Sequence, residues 1–205
     1  MRYLFLTIIM LFFLQVNAQR KYKLDSDRSH PDFIFHSSLG YVPEGVGYLN
    51  KVQFEYYSNP NYTYGLSLNY LFQGYKNGPE SFINCNSGLF ENSRATQEFI
   101  YLSIPLSYHF SQGNFKDFIT FSIGPSLGFH NFPKEFIQSR KGFLFTSSCT
   151  EAVYTREFFT AIDMQLDFNF RFGARSGIFL GGNFLFISKE TPKRALRIGY
   201  LVDIF

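Results

Sequence analysis

The sequence predicts an all-β protein, an eight-stranded antiparallel up-and-down transmembrane β-barrel, on three observations. Alternation of period two is sustained for about ten residues at a time, longer than the usual five or six of a strand and enough to cross a bilayer at a tilt. Aromatic residues make up 20% of the chain, with 28 Phe, 14 Tyr and no Trp, yet mean hydropathy is only -0.08. A barrel reconciles these values by spreading aromatics over one face of each strand and polar residues over the other. The connections also alternate between short and longer ones, as a meander with turns at one end and loops at the other requires.

Residues 1–18 read as a cleaved signal peptide. Arg2 supplies the positive start, Tyr3 to Leu14 an apolar run, and Val16-Asn17-Ala18 a small-residue cleavage site. The apolar run is too short for a spanning helix, which needs roughly twenty residues. Residues 19–31 form a polar periplasmic leader that includes Arg20, Lys21 and Lys23, and residues 32–205 form the barrel domain.

The first strand covers Phe33 to Tyr41, with Phe33, Phe35, Leu39 and Tyr41 on one face. The second, Tyr48 to Tyr57, sets Val52, Phe54 and Tyr56 against Lys51, Gln53 and Glu55. Ser58-Asn59-Pro60-Asn61 then turns the chain, since these residues favour tight-turn geometry. The third, Thr63 to Tyr75, sets Tyr64, Leu66, Leu68, Tyr70 and Phe72 against Gly65, Ser67, Asn69 and Gln73.

Strands four and five form a hairpin from Phe99 to Phe129. Ile100, Leu102, Ile104, Leu106, Tyr108 and Phe110 oppose Tyr101, Ser103, Ser107 and His109; Ile119, Phe121, Ile123, Leu127 and Phe129 oppose Thr120, Ser122, Gly124, Ser126, Gly128 and His130. The sixth strand, Phe158 to Gly173, alternates most sharply, with Ile162, Met164, Leu166, Phe168, Phe170 and Phe172 against Asp163, Gln165, Asp167, Asn169 and Arg171. A seventh runs from Ile178 to Ile187. The eighth, Leu196 to the C-terminus, sets Ile198, Tyr200, Val202 and Ile204 against Arg197, Gly199 and Asp203.

Short connections follow strands two, four and six, at Ser58–Tyr62, Ser111–Phe115 and Ala174–Ser176. Long loops follow strands three and five, at Lys76–Ala95 and Phe132–Glu151, which puts both termini and the short turns on the periplasmic side. The net charge of +3 falls to +2 without Arg2, and no basic stripe runs through the barrel, so no nucleic-acid partner is predicted. Two Cys and four His without ligand spacing predict no metal or cofactor.

The polar face carries Glu55, His109, Asp163, Asp167, Arg171, Arg197 and Asp203, and two readings compete for it. An eight-stranded barrel is just wide enough for side chains to fill, which makes these residues a lumenal hydrogen-bonded network. A gap in that packing would instead make them the lining of a narrow pore for ions or small solutes. A third reading, a lipid-modifying enzyme, rests on the inward phase of His36, His109 and His130 and on Ser126 beside His130, but no third member of a triad is fixed. A soluble lipocalin-like barrel would need the apolar face turned inward. The outcome favoured is a non-enzymatic structural or binding component. Cys85 and Cys149 fall in the two long loops on one side, and export to an oxidising compartment permits a disulfide between them.

The run YLSIPLSYHF followed by FITFSIGPSLGF resembles the pairing of an IPL strand with a GPS-G strand in PorT-like outer-membrane β-barrel proteins of Gram-negative bacteria. The GLSLNY rhythm of the third strand and the tyrosine in the last extend the resemblance over most of the chain beyond residue 18. It implies residence in the cell outer membrane among its lipids, insertion by barrel-assembly machinery that reads the C-terminal strand, and protein partners at the surface loops. It carries no catalytic residue onto this chain. Phe205 supplies a terminal aromatic, but in the phase of Arg197 and Asp203 rather than of the apolar face.

Overall fold

The computed structural model describes residues 33–43, 47–59, 61–75, 82–83, 92–93, 95–112, 115–141, 147–172, 176–188 and 190–204. The predicted signal peptide and leader, Cys85 and Phe205 lie outside them. The strands are β1 (Phe33–Val42), β2 (Gly47–Asn59), β3 (Tyr62–Gly74), β4 (Phe82–Ile83), β5 (Asn92–Ser93), β6 (Thr96–Ser103), β7 (Leu106–Gln112), β8 (Phe115–Lys141), β9 (Ser147–Arg171), β10 (Ser176–Ile187) and β11 (Lys193–Ile204).

β4 and β5 pair only with each other, as a small hairpin between β3 and β6. Every other strand pairs antiparallel with its neighbours, and β11 returns to β1 in a register running from Phe33↔Ile204 to Tyr41↔Leu196. The sheet is therefore a closed ring. β6 and β7 both lie between β3 and β8, as two halves of one wall, so the ring has eight staves.

Pro105 causes the break between β6 and β7, because it has no N–H to give to the ladder. The wall stays joined: the Gly65 N–H donates to the Pro105 carbonyl at 3.0 Å, and the Ile104 N–H to the Pro125 carbonyl at 3.0 Å. The neighbouring strand comes close at this point. A Cβ on Gly124 would overlap the Ile104 carbonyl and crowd the Pro105 Cα.

Side chains alternate around the ring as the period-two pattern predicts. Phe54, Leu66, Leu68, Ile100, Leu102, Leu127, Ile162, Phe168 and Ile198 face outward and exposed, while Lys51, Glu55, Asn69, Ser103, Ser122, Asp163, Asp167 and Arg197 face inward and buried. The interior also departs from a wholly polar filling. Val42, Leu49, Leu71, Phe99, Tyr101, Phe159, Leu185, Ile187 and Ala195 form an apolar cluster inside the loop end of the ring. A smaller one, Ile34, Tyr57, Phe179 and Leu201, lies toward the turn end.

The expected loop from Phe132 to Glu151 is largely strand. β8 and β9 stay paired up to Lys141↔Ser147, with one register shift between Pro133 and Glu135. The reason is that neither face of this overhang lines the lumen or the apolar exterior. Exposed Lys134, Glu135, Gln138, Glu151, Arg156 and Glu157 therefore interrupt the alternation while the backbone ladder continues.

Gly124 and Gly182 test this packing. Overpacking costs about 1–3 kcal/mol, and more where backbone must move. Gly124→Val should lower the urea midpoint of the refolded barrel, whereas Gly182→Val should leave it near that of the parent, since a Cβ there meets only a Phe184 ring atom at 3.5 Å.

Candidate functional site

The site that the fold builds is the ring's interior, and its chemistry starts from residues whose phase points them inward. β2 and β9 occupy opposite staves of the ring. The Lys51 ammonium nevertheless meets the Asp163 carboxylate at 3.0 Å, with both side chains almost wholly buried. Asp163 also accepts from Ser103 at 3.2 Å, Gln165 at 3.2 Å and Asn183 at 2.7 Å. Side chains from opposite walls thus touch across the lumen. Such a pair needs its full set of hydrogen bonds to offset the desolvation of two charges, and here four donors converge on one carboxylate.

A second cluster surrounds Glu55. Its carboxylate accepts from Gln53, Ser107 and Thr63, and His36 lies 3.5 Å and His109 3.9 Å away. His109 is held between two threonines, with Nε2 2.8 Å from Thr63 Oγ1 and Nδ1 3.1 Å from Thr120 Oγ1, and Thr120 accepts from Asn169 at 2.8 Å. With its hydrogen on Nε2, His109 completes a continuous chain of donors from Asn169 to Glu55. Most polar atoms of these residues bond to one another, while Gln53 Oε1 has no hydrogen-bond partner among the described residues.

Arg197 makes two bonds to Asp167, at 2.6 and 2.8 Å, and one to Gln165 at 3.1 Å, with its guanidinium 5.4 Å from the Phe179 ring centroid. Arg171 and Asp203 pair separately near the turn end, at 2.6 Å. The seven residues singled out from the sequence therefore fall into three groups rather than one site: Glu55 with His109, Asp163 with Asp167 and Arg197 through Gln165, and Arg171 with Asp203. Among the described residues no group of three His, Cys, Asp or Glu is placed to hold a metal ion.

The mouth of the ring carries a further cluster, of which the residue pattern singled out only His130. His130 stacks on Phe99 at 3.9 Å, with its Nε2 2.9 Å from Gln97 Oε1 and its Nδ1 3.5 Å from Glu190. Glu190, in the connection between β10 and β11, also pairs with Lys193 at 3.2 Å, and the Lys193 ammonium lies 5.4 Å from the centroid of the Phe99 ring on the opposite stave. The hydrogen bond from His130 holds the Glu190 carboxyl below its ordinary value of 4.5; partial burial opposes this and Lys193 supports it. Ser126 bonds to Ser103 at 2.7 Å, while His130 is engaged with Gln97 and Glu190.

Lys51 shares the phase of Glu55, and that phase is the one signal in the sequence that marks it. Lys193 likewise shares the inward phase of Arg197 but lies ahead of the strand read from the sequence, and Glu190 sits in a connection and carries no such signal. Cys149 is buried and disulfide-bonded near the start of β9. β4 lies beside β9.

No family model matches the chain, and no curated protein matches it. Among solved structures it is similar to the N-terminal β-barrel domain of Pseudomonas aeruginosa OprF, with 10% identity, a TM-score of 0.43 and coverage of 85% of this chain and 98% of that one. It is also similar to Neisserial surface protein A, with 10% identity, a TM-score of 0.45 and coverage of 86% and 100%. A third is Ail, the attachment invasion locus protein of Yersinia pestis, at 11% identity, a TM-score of 0.40 and coverage of 83% and 93%.

Two predictions follow from the charges. Arg197→Met strands the Asp167 carboxylate in the interior and should cost about 3–5 kcal/mol in urea unfolding of the refolded barrel, with most of it recovered in Arg197→Met/Asp167→Leu. At the mouth the sign is set by a lowered carboxyl. Its contribution is full above 4.5 and is lost as pH falls from there through the folded value. Amide exchange of residues 190–193, corrected for intrinsic rates, should accelerate over that range in the parent and show no such step in Glu190→Gln.

Proposed function

We propose that this chain is an outer-membrane β-barrel protein of the PorT-like kind, with a structural or binding role rather than a catalytic one. The observation that carries this reading is the outer surface. Its middle is a continuous band of exposed Leu, Ile, Val and Phe, and tyrosines gather at both ends of the band. Tyr41, Tyr48 and Tyr70 lie toward the loop end, with Tyr48 stacked on Phe72 at 5.2 Å. Tyr56, Tyr62, Tyr64, Tyr108 and Tyr200 lie toward the turn end, where Tyr56 meets Tyr64 at 5.4 Å and Tyr62 meets Tyr108 at 4.8 Å. Phenol rings, apolar with one polar tip, suit the two interfaces of a bilayer.

The height agrees. From Ile119 to Phe129, at about 3.3 Å per residue and a tilt of about 40°, the wall rises roughly 25 Å, the height of an outer-membrane apolar band. Water would not tolerate so large an apolar surface on a monomer. Export through cleavage after Ala18, insertion through the C-terminal strand, and a Cys85–Cys149 bridge between surface loops belong to the same reading.

The filled lumen favours a structural or binding role over conduction. Lys51 and Asp163 span the ring at one level and Lys193 and Phe99 at another, with an apolar cluster between β-staves near the mouth. The expected outcome is recovery in the outer-membrane fraction as a species whose electrophoretic mobility shifts on boiling, and no reproducible single-channel conductance in planar bilayers. Recovery as a soluble periplasmic protein would overturn the proposal, and regular conductance steps would favour the pore.

A further inference from the structure

We propose that the wall of the ring has a built-in point of lateral opening, the seam between the β6/β7 stave and β8 at Pro105 and Pro125, and that two serine pairs on its inner face latch it. The inference rests on the outer-membrane reading above and adds to that barrel a conformational device of its wall.

Register runs unbroken through this part of the wall, but bonding does not. β3 sets Ser67 beside Ser103 and Tyr64 beside Leu106, so Gly65 lies opposite Pro105. β8 sets Ser126 beside Ser103 and Ile123 beside Leu106, so Pro125 lies opposite Ile104. A hydrogen-bonded pair in an antiparallel ladder exchanges two bonds. Gly65 gives its N–H to the Pro105 carbonyl and Ile104 gives its own to the Pro125 carbonyl, both at 3.0 Å, but neither proline has an N–H to return. The Gly65 and Ile104 carbonyls each go without that ladder bond, on the two sides of one stave. In hydrocarbon no water takes its place.

Side chains on the inner face supply what the backbone lacks. Ser103 and Ser126 are joined at 2.7 Å, and Ser107 and Ser122 at 2.8 Å. These two pairs flank the prolines in register, one toward each end of the barrel, and all four serines are buried. A hydroxyl has a single hydrogen to give. Ser103 gives its hydrogen to Asp163 at 3.2 Å and Ser107 gives its own to Glu55. The hydrogens that close the seam therefore come from Ser126 and Ser122 on β8. Each latch runs from β8 through the β6/β7 stave to a buried carboxylate, so the seam is tied to the two lumenal charge clusters as well as by its own backbone.

Parting of this seam uncovers hydroxyls and no charge. When β8 draws away, Ser103 and Ser107 keep their bonds to Asp163 and Glu55, Asp163 keeps Lys51 and Asn183, and Glu55 keeps Gln53 and Thr63. The bond missing toward Gly65 lets the stave bend at the same level. Outside, Leu102, Ile104, Leu106, Ile123 and Leu127 are aliphatic and exposed, so movement there trades one apolar neighbour for another. Proline inside a sheet is ordinarily confined to edges, first positions and bulges. Two prolines in adjacent staves of a closed wall break that rule, and such breaks concentrate at working or strained sites.

The test is residue-resolved amide exchange on the full chain refolded in detergent micelles. The Ile104 and Gly65 amides should exchange about tenfold or more faster than the protected amides of Ser37–Leu39 in the β1–β11 seam. Pro125→Ala returns an N–H to the Ile104 carbonyl and Pro105→Ala returns one to Gly65, and each should slow its partner's amide by about tenfold. Ser122→Ala/Ser126→Ala cuts both latches and leaves the donors of Asp163 and Glu55 in place. It should speed exchange at Ile104 several-fold further, leave Ser37–Leu39 unchanged and keep the heat-induced mobility shift. The proline variants only add a bond, so they decide the matter where the serine variant fails to fold. Ile104 and Gly65 amides that exchange no faster than Ser37–Leu39, or that neither proline change slows, would overturn the inference, and a heat-modifiable barrel in the outer-membrane fraction would leave the outer-membrane reading standing.

Discussion

Closure of the sheet by β1 and β11 divides the molecule into an inside and an outside of opposite chemistry, and the rest of the structure depends on that division. Side chains alternate along every stave, so each residue placed in the wall also commits its neighbours to the other surface. A slip of one residue in β9 would send Asp163 and Asp167 outward and Ile162 and Leu166 inward, and a slip in β11 would do the same to Arg197 and Ile198. The buried charges therefore make register errors costly as well as filling space.

Within the ring, the interior solves a problem of neutralisation. Each buried acid described there sits against a cation, a histidine or several hydroxyl and amide donors, and some of those partners come from staves that are not adjacent in the wall. Lys51 and Asp163 join opposite sides, and Arg197 reaches Asp167 across β10. Bonds of this kind tie the ring across its diameter, which the backbone ladder alone cannot do. The apolar clusters above and below them add dry packing at both ends, and the mouth is crossed by the contact of Lys193 with Phe99.

Much of this was legible in the residues. The alternation in IDMQLDFNFR determines which side chains of β9 face in, and the short polar turns determine the order of the staves. Two parts were not legible, for different reasons. The segment GIFLGGNFLFI of β10 is apolar in both phases, so nothing in its pattern separates inward Phe179, Leu185 and Ile187 from outward Ile178, Leu180 and Phe184. The overhang of β8 and β9 lost its pattern because neither face is held to one chemistry. The partners of the charges were also hidden, since the contact of Lys51 with Asp163 depends on the stagger of the whole ring rather than on any local spacing.

The absence of tryptophan from the chain makes the central claim, an apolar exterior held in lipid, directly measurable. Single tryptophans placed at outward positions, Leu166→Trp and Phe168→Trp in the wall and Tyr154→Trp in the overhang, report their surroundings without background. In brominated-lipid bilayers the two wall positions should be quenched by the lipid and shielded from iodide, while the overhang position should show the reverse. Iodide quenching of equal strength at all three would contradict the account.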